Sequence, residues 1–286
     1  MVLTNIYNAK ILPPTSTNAL PPPPSTQASH TLPNIHISLS PLPKSNTSSI
    51  GSCLLEIGQT KVLASIEGPH SLSQTPSGSG EAVDRNTYVD KGGLNVTIKY
   101  APFAKRLQAG SSGRNSGNTT KMNEEERELA VRVSNALRPS ILLQKLKKQV
   151  LSLSISILQD DGMIFSSLVI SSSLALANAG VDLLDLVASC VVGVAESEGT
   201  DKSIITLAPT AVKSLESSLN ADSYSTITLA LLPNQNKTSA FEILGGATSV
   251  QGIVGGTEIC RTAIASVHKL MREALVRKAS KESDDL

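Results

Sequence analysis

Two groups of β-strand patterns, each followed by a helical pattern, run in order along the sequence. In the first group, range 35–39 alternates apolar and polar residues, and range 51–69 places two β-rich stretches around a Gly-Gln turn, which predicts a hairpin. The remaining strand patterns lie at 94–103, 149–158, 186–195, 203–206, 225–233 and 239–244. Groups of antiparallel strands followed by helices are typical of layered sheets and do not fit a series of alternating βαβ units. The order predicts an α/β (α+β) fold in which mixed sheets are sandwiched with helices.

Helical patterns separate and follow these strands. They cover the ranges 123–137, 166–179, 209–218 and 257–281. We expect the first helix to begin at Asn123, which can cap it, with Glu126 completing a capping box, and to end before Pro139. The second is rich in small residues and is expected to stop at Gly180.

Proline and glycine mark the segments outside this pattern. Nine of the 15 prolines fall within residues 1–43, and a segment of this kind cannot bury enough apolar surface to offset the cost of ordering it. We therefore expect a disordered Pro/Ser-rich arm over 1–33, one domain over 34–281 and a short tail over 282–286. Range 104–122 is rich in Gly, Ser and Asn and predicts a mobile loop; it lacks the Gly-Lys-Ser/Thr of a phosphate-binding loop.

Composition narrows the functional classes. A net charge of +1, three Phe, four Tyr and no Trp argue against a stand-alone RNA-binding module, which needs positive charge and base-stacking aromatics. The three cysteines form neither a metal-ligand spacing nor an even disulfide set, so we expect buried thiols in a reducing compartment. The four histidines form no recognisable constellation, and no apolar run is long enough for a membrane span. No metal site and no cofactor are predicted.

Several segments, in order, resemble ribonuclease PH domains over about residues 35–280. GSCLLEIGQTKVLASIEGP (51–69) resembles the second and third strands of the family, KGGLNVTIKYAPFAKR (91–106) the next strand, and EERELAVRVSNALRPSI (125–141) the first long helix. LQDDG (158–162) and the small-residue helix after it resemble the second half. The resemblance implies a ribonuclease PH-like fold of the ribosomal protein S5 domain 2-like type. The Arg-Pro-Asp-Gly-Arg opening of the family is absent, and the Pro-rich arm stands in its place.

The resemblance also implies which chemistry to look for. Active members shorten RNA from the 3′ end by attack of inorganic phosphate, which requires cations and donors around the phosphate and carboxylates near the leaving oxygen. The Gly-Thr-Arg of the family's phosphate site falls on Met163, Ile164 and Phe165, and its two catalytic aspartates fall on Asn220 and Thr226. The side chains at 163–165 have no group that binds phosphate, and neither Asn220 nor Thr226 can serve as an ionised metal ligand. We therefore expect a protein that is not an enzyme.

Asp160 and Asp161 raise a different possibility, because paired carboxylates can serve a nuclease. The resemblance matches Asp161 to a family aspartate whose role is structural, and Asp-Gly pairs are turn chemistry. A two-metal site would need further acids converging in space, and the sequence shows no pattern for them. We interpret the pair as a turn between strand and helix.

RNA contact is the function that the basic residues suggest. Arg127 matches a family arginine at the start of the first helix that touches RNA or phosphate, and Lys105 and Arg106 lie in the most basic part of the chain. Phosphate contacts are blind to sequence and leave little pattern. The alternative, a solvated basic face, stays open for all three residues.

Within the family, Lys-Gly-Gly-Leu, Ala-Pro-Phe-Ala and Glu-Glu-Arg-Glu-Leu most resemble a non-catalytic ring subunit of the eukaryotic RNA exosome. This implies a scaffold in the nucleus, nucleolus and cytoplasm. The implied partners are other ribonuclease PH-like ring subunits, S1/KH cap subunits, a processive hydrolytic ribonuclease and RNA threading through the ring, with no membrane. The alternative is an active phosphate-dependent 3′-to-5′ exoribonuclease or transfer-RNA nucleotidyltransferase, which requires either a different alignment of the phosphate loop or a neighbouring subunit that completes the site.

Overall fold

The first sheet contains five strands. The computed structural model describes residues 32–42, 49–71, 92–104, 117–196, 204–210, 223–246 and 248–284. The strands are β1 (Ile35–Leu39), β2 (Ser49–Ile57), β3 (Thr60–Ser71), β4 (Gly93–Tyr100) and β5 (Gln149–Gln159), in the order β1-β2-β3-β5-β4. All neighbours are antiparallel except β4 and β5. The predicted hairpin is confirmed, and Gly58 in its turn has a φ of 58°, a conformation that glycine adopts without steric cost.

The second sheet contains four strands and is antiparallel throughout. Its strands are β6 (Ala188–Glu196), β7 (Ile204–Leu207), β8 (Ser223–Leu232) and β9 (Lys237–Gly245), in the order β7-β6-β8-β9. All the strands predicted after residue 180 are confirmed to within a few residues. The helix predicted over 209–218 lies almost wholly outside the described residues. The mixed α/β architecture with separate groups of strands is as predicted.

Three α-helices pack with these sheets in the described part of the chain: α1 (Gly117–Leu137), α2 (Ile164–Asn178) and α3 (Val250–Asp284). The predicted start of the first helix is wrong, since α1 begins at Gly117 and Asn123 lies inside it. Range 117–122 is therefore helix and not loop. A polar Gly-Asn-Thr-Thr stretch has low helix propensity, so neither pattern nor composition marked this extra turn and a half.

The last helix is also longer than predicted, beginning at residue 250 instead of 257 and including 282–284 of the predicted tail. Ser249 precedes it, and its hydroxyl accepts a hydrogen bond from the N–H of Gly252 at 3.1 Å, as a capping serine does. Glycines near the start of this helix made its first turns resemble a loop in the sequence. They allow close packing on the second sheet, since a Cβ on Gly256 would lie 2.9 Å from Cδ1 of Ile227.

Helix α2 lies between the two sheets. It packs against β2 and β3 on one side and against β6 on the other, and every residue from Phe165 to Leu176 is buried. Its serines are small enough to let both sheets approach, and their hydroxyls are satisfied. Ser167 donates to the carbonyl of Met163, and Ser166 donates to the carbonyl of Ser189 on β6 at 2.8 Å. A helix buried on all sides needs this kind of composition.

The C-terminal turn of α2 meets β2 very closely at Gly51. A Cβ atom built on Gly51 would lie 2.5 Å from the backbone nitrogen and 2.7 Å from the Cα of Ala179. Gly180 then ends the helix with a φ of 75°, as the sequence predicts. The absent side chain at Gly51 therefore sets the distance between the first sheet and the helix.

The buried side chains of both sheets form one hydrophobic cluster. Leu32, inside the arm predicted over 1–33, packs against this cluster. The three cysteines are buried and free, as expected, and burial raises the pKa of the Cys53 thiol to about 12. Within the described residues, the structure contains no helix long and apolar enough to cross a membrane.

Candidate functional site

The positions that the sequence resemblance assigns to the family's phosphate site lie at the junction of β5 and α2. Met163 precedes the first turn of α2, and Ile164 and Phe165 begin the helix. Met163 and Phe165 are 6% and 5% exposed, and Ile164 is half-buried. Side chains that lack hydrogen-bond donors therefore occupy this junction, and the two buried ones belong to the core cluster. These residues offer no side-chain group that could bind phosphate.

An arginine that the sequence patterns did not single out lies directly over Phe165. Arg132 of α1 places its guanidinium carbon 4.9 Å from the centroid of the Phe165 ring, within the range of a cation–π interaction. Its Nε donates to Oε1 of Glu242 at 2.9 Å, and Nη2 donates to Oε2 of the same carboxylate. Glu128, one turn earlier, is 3.9 Å away. Arg132, Glu242 and Phe165 form the cluster that we call the arginine cluster.

The arginine cluster is held on three elements and is only partly open to water. The side chains of Arg132 and Glu242 are 23% and 26% exposed. The hydrogen-bonded carboxylate of Glu242 raises the pKa of Arg132 further above its high ordinary value. Two parallel N–H···O bonds from one guanidinium to one carboxylate are the strongest pairing available to an arginine. The guanidinium that lies over Phe165 is therefore already paired.

Two signals could have pointed to the arginine cluster. Arg132 precedes Val133 in the apolar stripe of α1, so it borders the buried face of the helix. Glu242 lies within the apolar strand pattern SAFEIL, where an acid is unfavourable unless it has a partner. The two residues are far apart in sequence, and neither signal named the other residue as its partner.

Of the two positions that the resemblance assigns to the catalytic aspartates, one lies in the described part of the chain. Thr226 is on β8 opposite Leu244 of β9, and Thr228 is opposite Glu242. Side chains two residues apart on a strand share a face, so Thr226 lies on the sheet face that carries Glu242. Asn220 is outside the described residues. Among the residues that the structure describes, no three His, Cys, Asp or Glu side chains could hold a metal ion.

The Asp-Asp-Gly sequence forms a turn between β5 and α2. The N–H of Gly162 donates to Oδ1 of Asp160 at 3.0 Å, and Gly162 has a φ of 99°. The N–H of Asp161 donates to the hydroxyl of Thr60 at 3.1 Å. A side chain that accepts from the backbone two residues later is an Asx turn. The turn interpretation agrees with these contacts, and Asp160 supplies the side chain that makes the turn.

The predicted RNA-contact residues are only partly within the described chain. Arg127 is exposed on α1, well after the start of the helix, and Lys105 and Arg106 lie outside the described residues. Acids surround this part of α1: the N–H of Tyr100 donates to Glu126 at 3.0 Å. Burial, and then Asp160, Glu125 and Glu126, raise the pKa of Tyr100 to about 12. RNA contact by Arg127 stays a prediction.

Asp185 and His268 form a buried polar contact that the sequence did not predict. Asp185, in the segment between α2 and β6, accepts hydrogen bonds from the N–H groups of Leu186 and Asn234 at 2.8 Å each. Nε2 of His268 on α3 lies 3.5 Å from the same carboxylate. Asp185 and His268 are both buried. The carboxylate joins the turn after β8 to the segment before β6, which is a structural role.

Solved structures with the same fold come from exosome proteins. The structure aligns with rice Rrp46 with a TM-score of 0.59 and 18% identity, covering 85% of this chain and 95% of the other. It aligns with a chain of the Archaeoglobus fulgidus exosome, solved with RNA bound to the active site, with a TM-score of 0.58 and 18% identity, covering 84% and 89%. At this identity, the likeness shows that the fold is shared.

Curated relatives match over most of their length. The chain is 27% identical over 231 residues to mouse "Exosome complex component MTR3" and 29% identical over 235 residues to the human protein of that name. Each alignment covers 80% of this chain and 78% of the relative. An archaeal relative, "Exosome complex component Rrp41" of Thermococcus onnurineus, is 26% identical over 247 residues, covering 82% of each chain. The predicted likeness to a subunit of the eukaryotic RNA exosome is confirmed.

The family model confirms the predicted resemblance over the first sheet and the first two helices. Residues 32–182 match the model described as the 3′ exoribonuclease family, domain 1, RNase PH. The matched range contains the β5–α2 junction, Arg127 and Arg132, and it covers more than half of the 286 residues. The chain belongs to the ribonuclease PH family of 3′ exoribonucleases.

Proposed function

We propose that the chain is a non-catalytic ring subunit of the eukaryotic RNA exosome and supports 3′-to-5′ RNA processing as a scaffold. The observation that carries this proposal is the β5–α2 junction, where Met163 and Phe165 are buried and the guanidinium over Phe165 is paired with Glu242. Phosphate attack on RNA needs free donors at this place. The similarity to the mouse and human MTR3 proteins supports the same conclusion.

The proposed partners follow from the family. They are the other ribonuclease PH-like ring subunits, the S1/KH cap subunits, a processive hydrolytic ribonuclease and the RNA that threads through the ring. No cofactor is needed for a scaffold. The subunit would occur where the complex occurs, in the nucleus and cytoplasm, with the nucleolus as the finer assignment.

Strand β9 supports a role in assembly. It is the last strand of the second sheet among the described strands, and Phe241 and Ile243 on it are 46% and 39% exposed. These side chains alternate along the strand and therefore lie on one face. Exposed apolar residues on an edge strand favour association with another protein surface. The proposal requires such surfaces, because a scaffold acts through its contacts.

The test combines assembly with enzymatic assay. We expect the chain expressed alone to aggregate or self-associate, and co-expression with ring subunits to give a soluble stoichiometric complex, because permanent interfaces commonly bury more than about 2,000 Å². The co-purified complex should release no nucleoside diphosphates from a 3′-tailed RNA in phosphate buffer. A matched reaction without phosphate serves as the control.

Two results would contradict the proposal. A soluble monomer at micromolar concentration in size-exclusion chromatography, with no affinity for ring subunits, would remove the scaffold function. Phosphate-dependent release of nucleoside diphosphates would favour the alternative, an active phosphate-dependent 3′-to-5′ exoribonuclease.

RNA contact by Arg127 can be tested in the assembled complex. We expect Arg127→Gln to make the salt dependence of RNA binding shallower by about 0.7 in the log–log slope, the value for one phosphate contact on a single strand. The residue is exposed, so the fold should be unaffected. Arg277→Gln on α3 is the matched control, since Arg277 is also exposed and pairs only with Glu273 among the described residues. Equal slopes for both variants would assign Arg127 to a solvated face.

A further inference from the structure

The carboxylate of Glu242 occupies the position that an oxyanion ligand of Arg132 would take. A guanidinium binds carboxylate and phosphate in the same way, through two parallel N–H groups. In this structure both bonds go to Glu242, with Nε at 2.9 Å from Oε1 and Nη2 bonded to Oε2. We propose that Glu242 is an internal ligand that closes a latent oxyanion site at Arg132, and that the site takes a tetrahedral phosphate when this carboxylate is removed.

The location of the arginine cluster supports a latent site more than an ordinary surface ion pair. Phe165, one of the positions that match the family's phosphate site, supports the guanidinium from below at 4.9 Å. Arg132 and Glu242 are each about three-quarters buried, so water screens them less than it screens an exposed pair. An anion at this place would meet an oriented, partly dehydrated cation, which is the arrangement that phosphate recognition uses.

The sheet fixes Glu242 in place. Its backbone pairs with Thr228 on the central part of β8, so the carboxylate is presented by a paired strand and not by a loop. The other acid near Arg132, Glu128, is 3.9 Å away and has a side chain that is 72% exposed. Glu128 therefore holds Arg132 weakly by comparison. Removal of Glu242 should leave the guanidinium available to an external anion.

A second contact keeps α1 and β9 together without Glu242. The hydroxyl of Ser239 on β9 donates to the carbonyl of Ala136 on α1. The ring of Phe165 remains beneath Arg132 in any Glu242 variant. Glu242→Gln also preserves the shape of the side chain and one acceptor. Both Glu242→Ala and Glu242→Gln are therefore expected to fold and assemble.

Fluorine NMR at the ring of Phe165 reads the site directly. We would place 4-fluorophenylalanine at position 165 alone, in the full chain co-purified with its ring partners, and titrate inorganic phosphate at constant ionic strength against chloride. A short RNA oligonucleotide, titrated separately, distinguishes a phosphodiester from free phosphate. The complexes compared carry the wild-type chain, Glu242→Ala, Glu242→Gln, or Arg132→Met combined with Glu242→Ala.

We expect phosphate to cause no saturable shift of the fluorine resonance in the wild-type complex. In Glu242→Ala the resonance should shift and saturate, with half of the change reached on the order of several millimolar phosphate. Glu242→Gln should respond more weakly, and the double variant should not respond. The inference rests on the proposed function, and the two fail differently. Phosphate binding by the wild-type chain would overturn both. If neither Glu242→Ala nor Glu242→Gln responded to phosphate, and the complexes were intact and released no nucleoside diphosphates, only the proposal that Glu242 is an internal ligand would be overturned.

Discussion

Replacing Phe165 by arginine, the residue type that the resemblance assigns to active members at this position, is expected to destabilise the chain by about 3 kcal/mol or more and to create no phosphorolytic activity. Position 165 is 5% exposed, and the guanidinium of Arg132 lies 4.9 Å from the ring centroid. The new cation would be buried beside an existing one, with the carboxylate of Glu242 already used. Like charges at this distance in a partly dry site repel strongly.

Phe165→Leu is the matched control for this variant. It keeps an apolar side chain at the same position and is expected to cost less than about 1.5 kcal/mol. Pulse proteolysis in urea, performed on the co-purified complexes, gives the urea concentration at which half of this chain is cleaved. Equal midpoints for the arginine and leucine variants would show that the junction is not the closed, apolar place described above.

Adding one methyl group at Gly51 is expected to be nearly as damaging, at about 3 kcal/mol. The new Cβ would lie 2.5 Å from the backbone nitrogen of Ala179, and a backbone atom of a packed helix cannot move aside alone. Either the C-terminal turn of α2 or strand β2 must shift.

Gly255→Ala in α3 is expected to stabilise the chain, whereas Gly51→Ala destabilises it. Its Cβ would meet only the terminal Cδ1 of Ile205, at 3.1 Å, and alanine favours a helix interior over glycine by about 1 kcal/mol. The same urea midpoints compare the two variants. If Gly51→Ala and Gly255→Ala moved the midpoint in the same direction, backbone clearance at Gly51 would not be the determining factor.

The strands could be predicted from the sequence because their alternation reflects burial directly. The β2–β3 hairpin and the β5 strand needed only apolar periodicity and a turn. The first residues of the helices were harder to predict than the strands. The first turns of α1 and α3 contain Gly, Asn and Thr, whose low propensity is overridden by tertiary packing. Gly252 and Gly256 resemble loop residues in the sequence and serve helix–sheet contact in the structure.

The candidate site could also be predicted only in part from the sequence. The assignment of Met163, Ile164 and Phe165 to the phosphate positions could be made from the sequence, because a resemblance aligns consecutive residues, and it stays a prediction. The pairing of Arg132 with Glu242 could not, because it joins α1 to β9 and depends on how the two sheets pack. The contact between His268 and Asp185 has the same origin. Long-range polar contacts leave no periodicity in a single sequence.

The burial of α2 between two sheets has a consequence for synthesis on the ribosome. The chain emerges from its N-terminus, so β1–β5 and α2 are complete before β6–β9 have been translated. During that interval the side of α2 that later contacts β6 has no sheet to cover it. The nascent chain therefore presents an apolar helix surface until the second half arrives, the kind of surface that chaperones bind. Translation speed beyond residue 182, rather than the stability of the finished fold, then sets how long this vulnerable interval lasts.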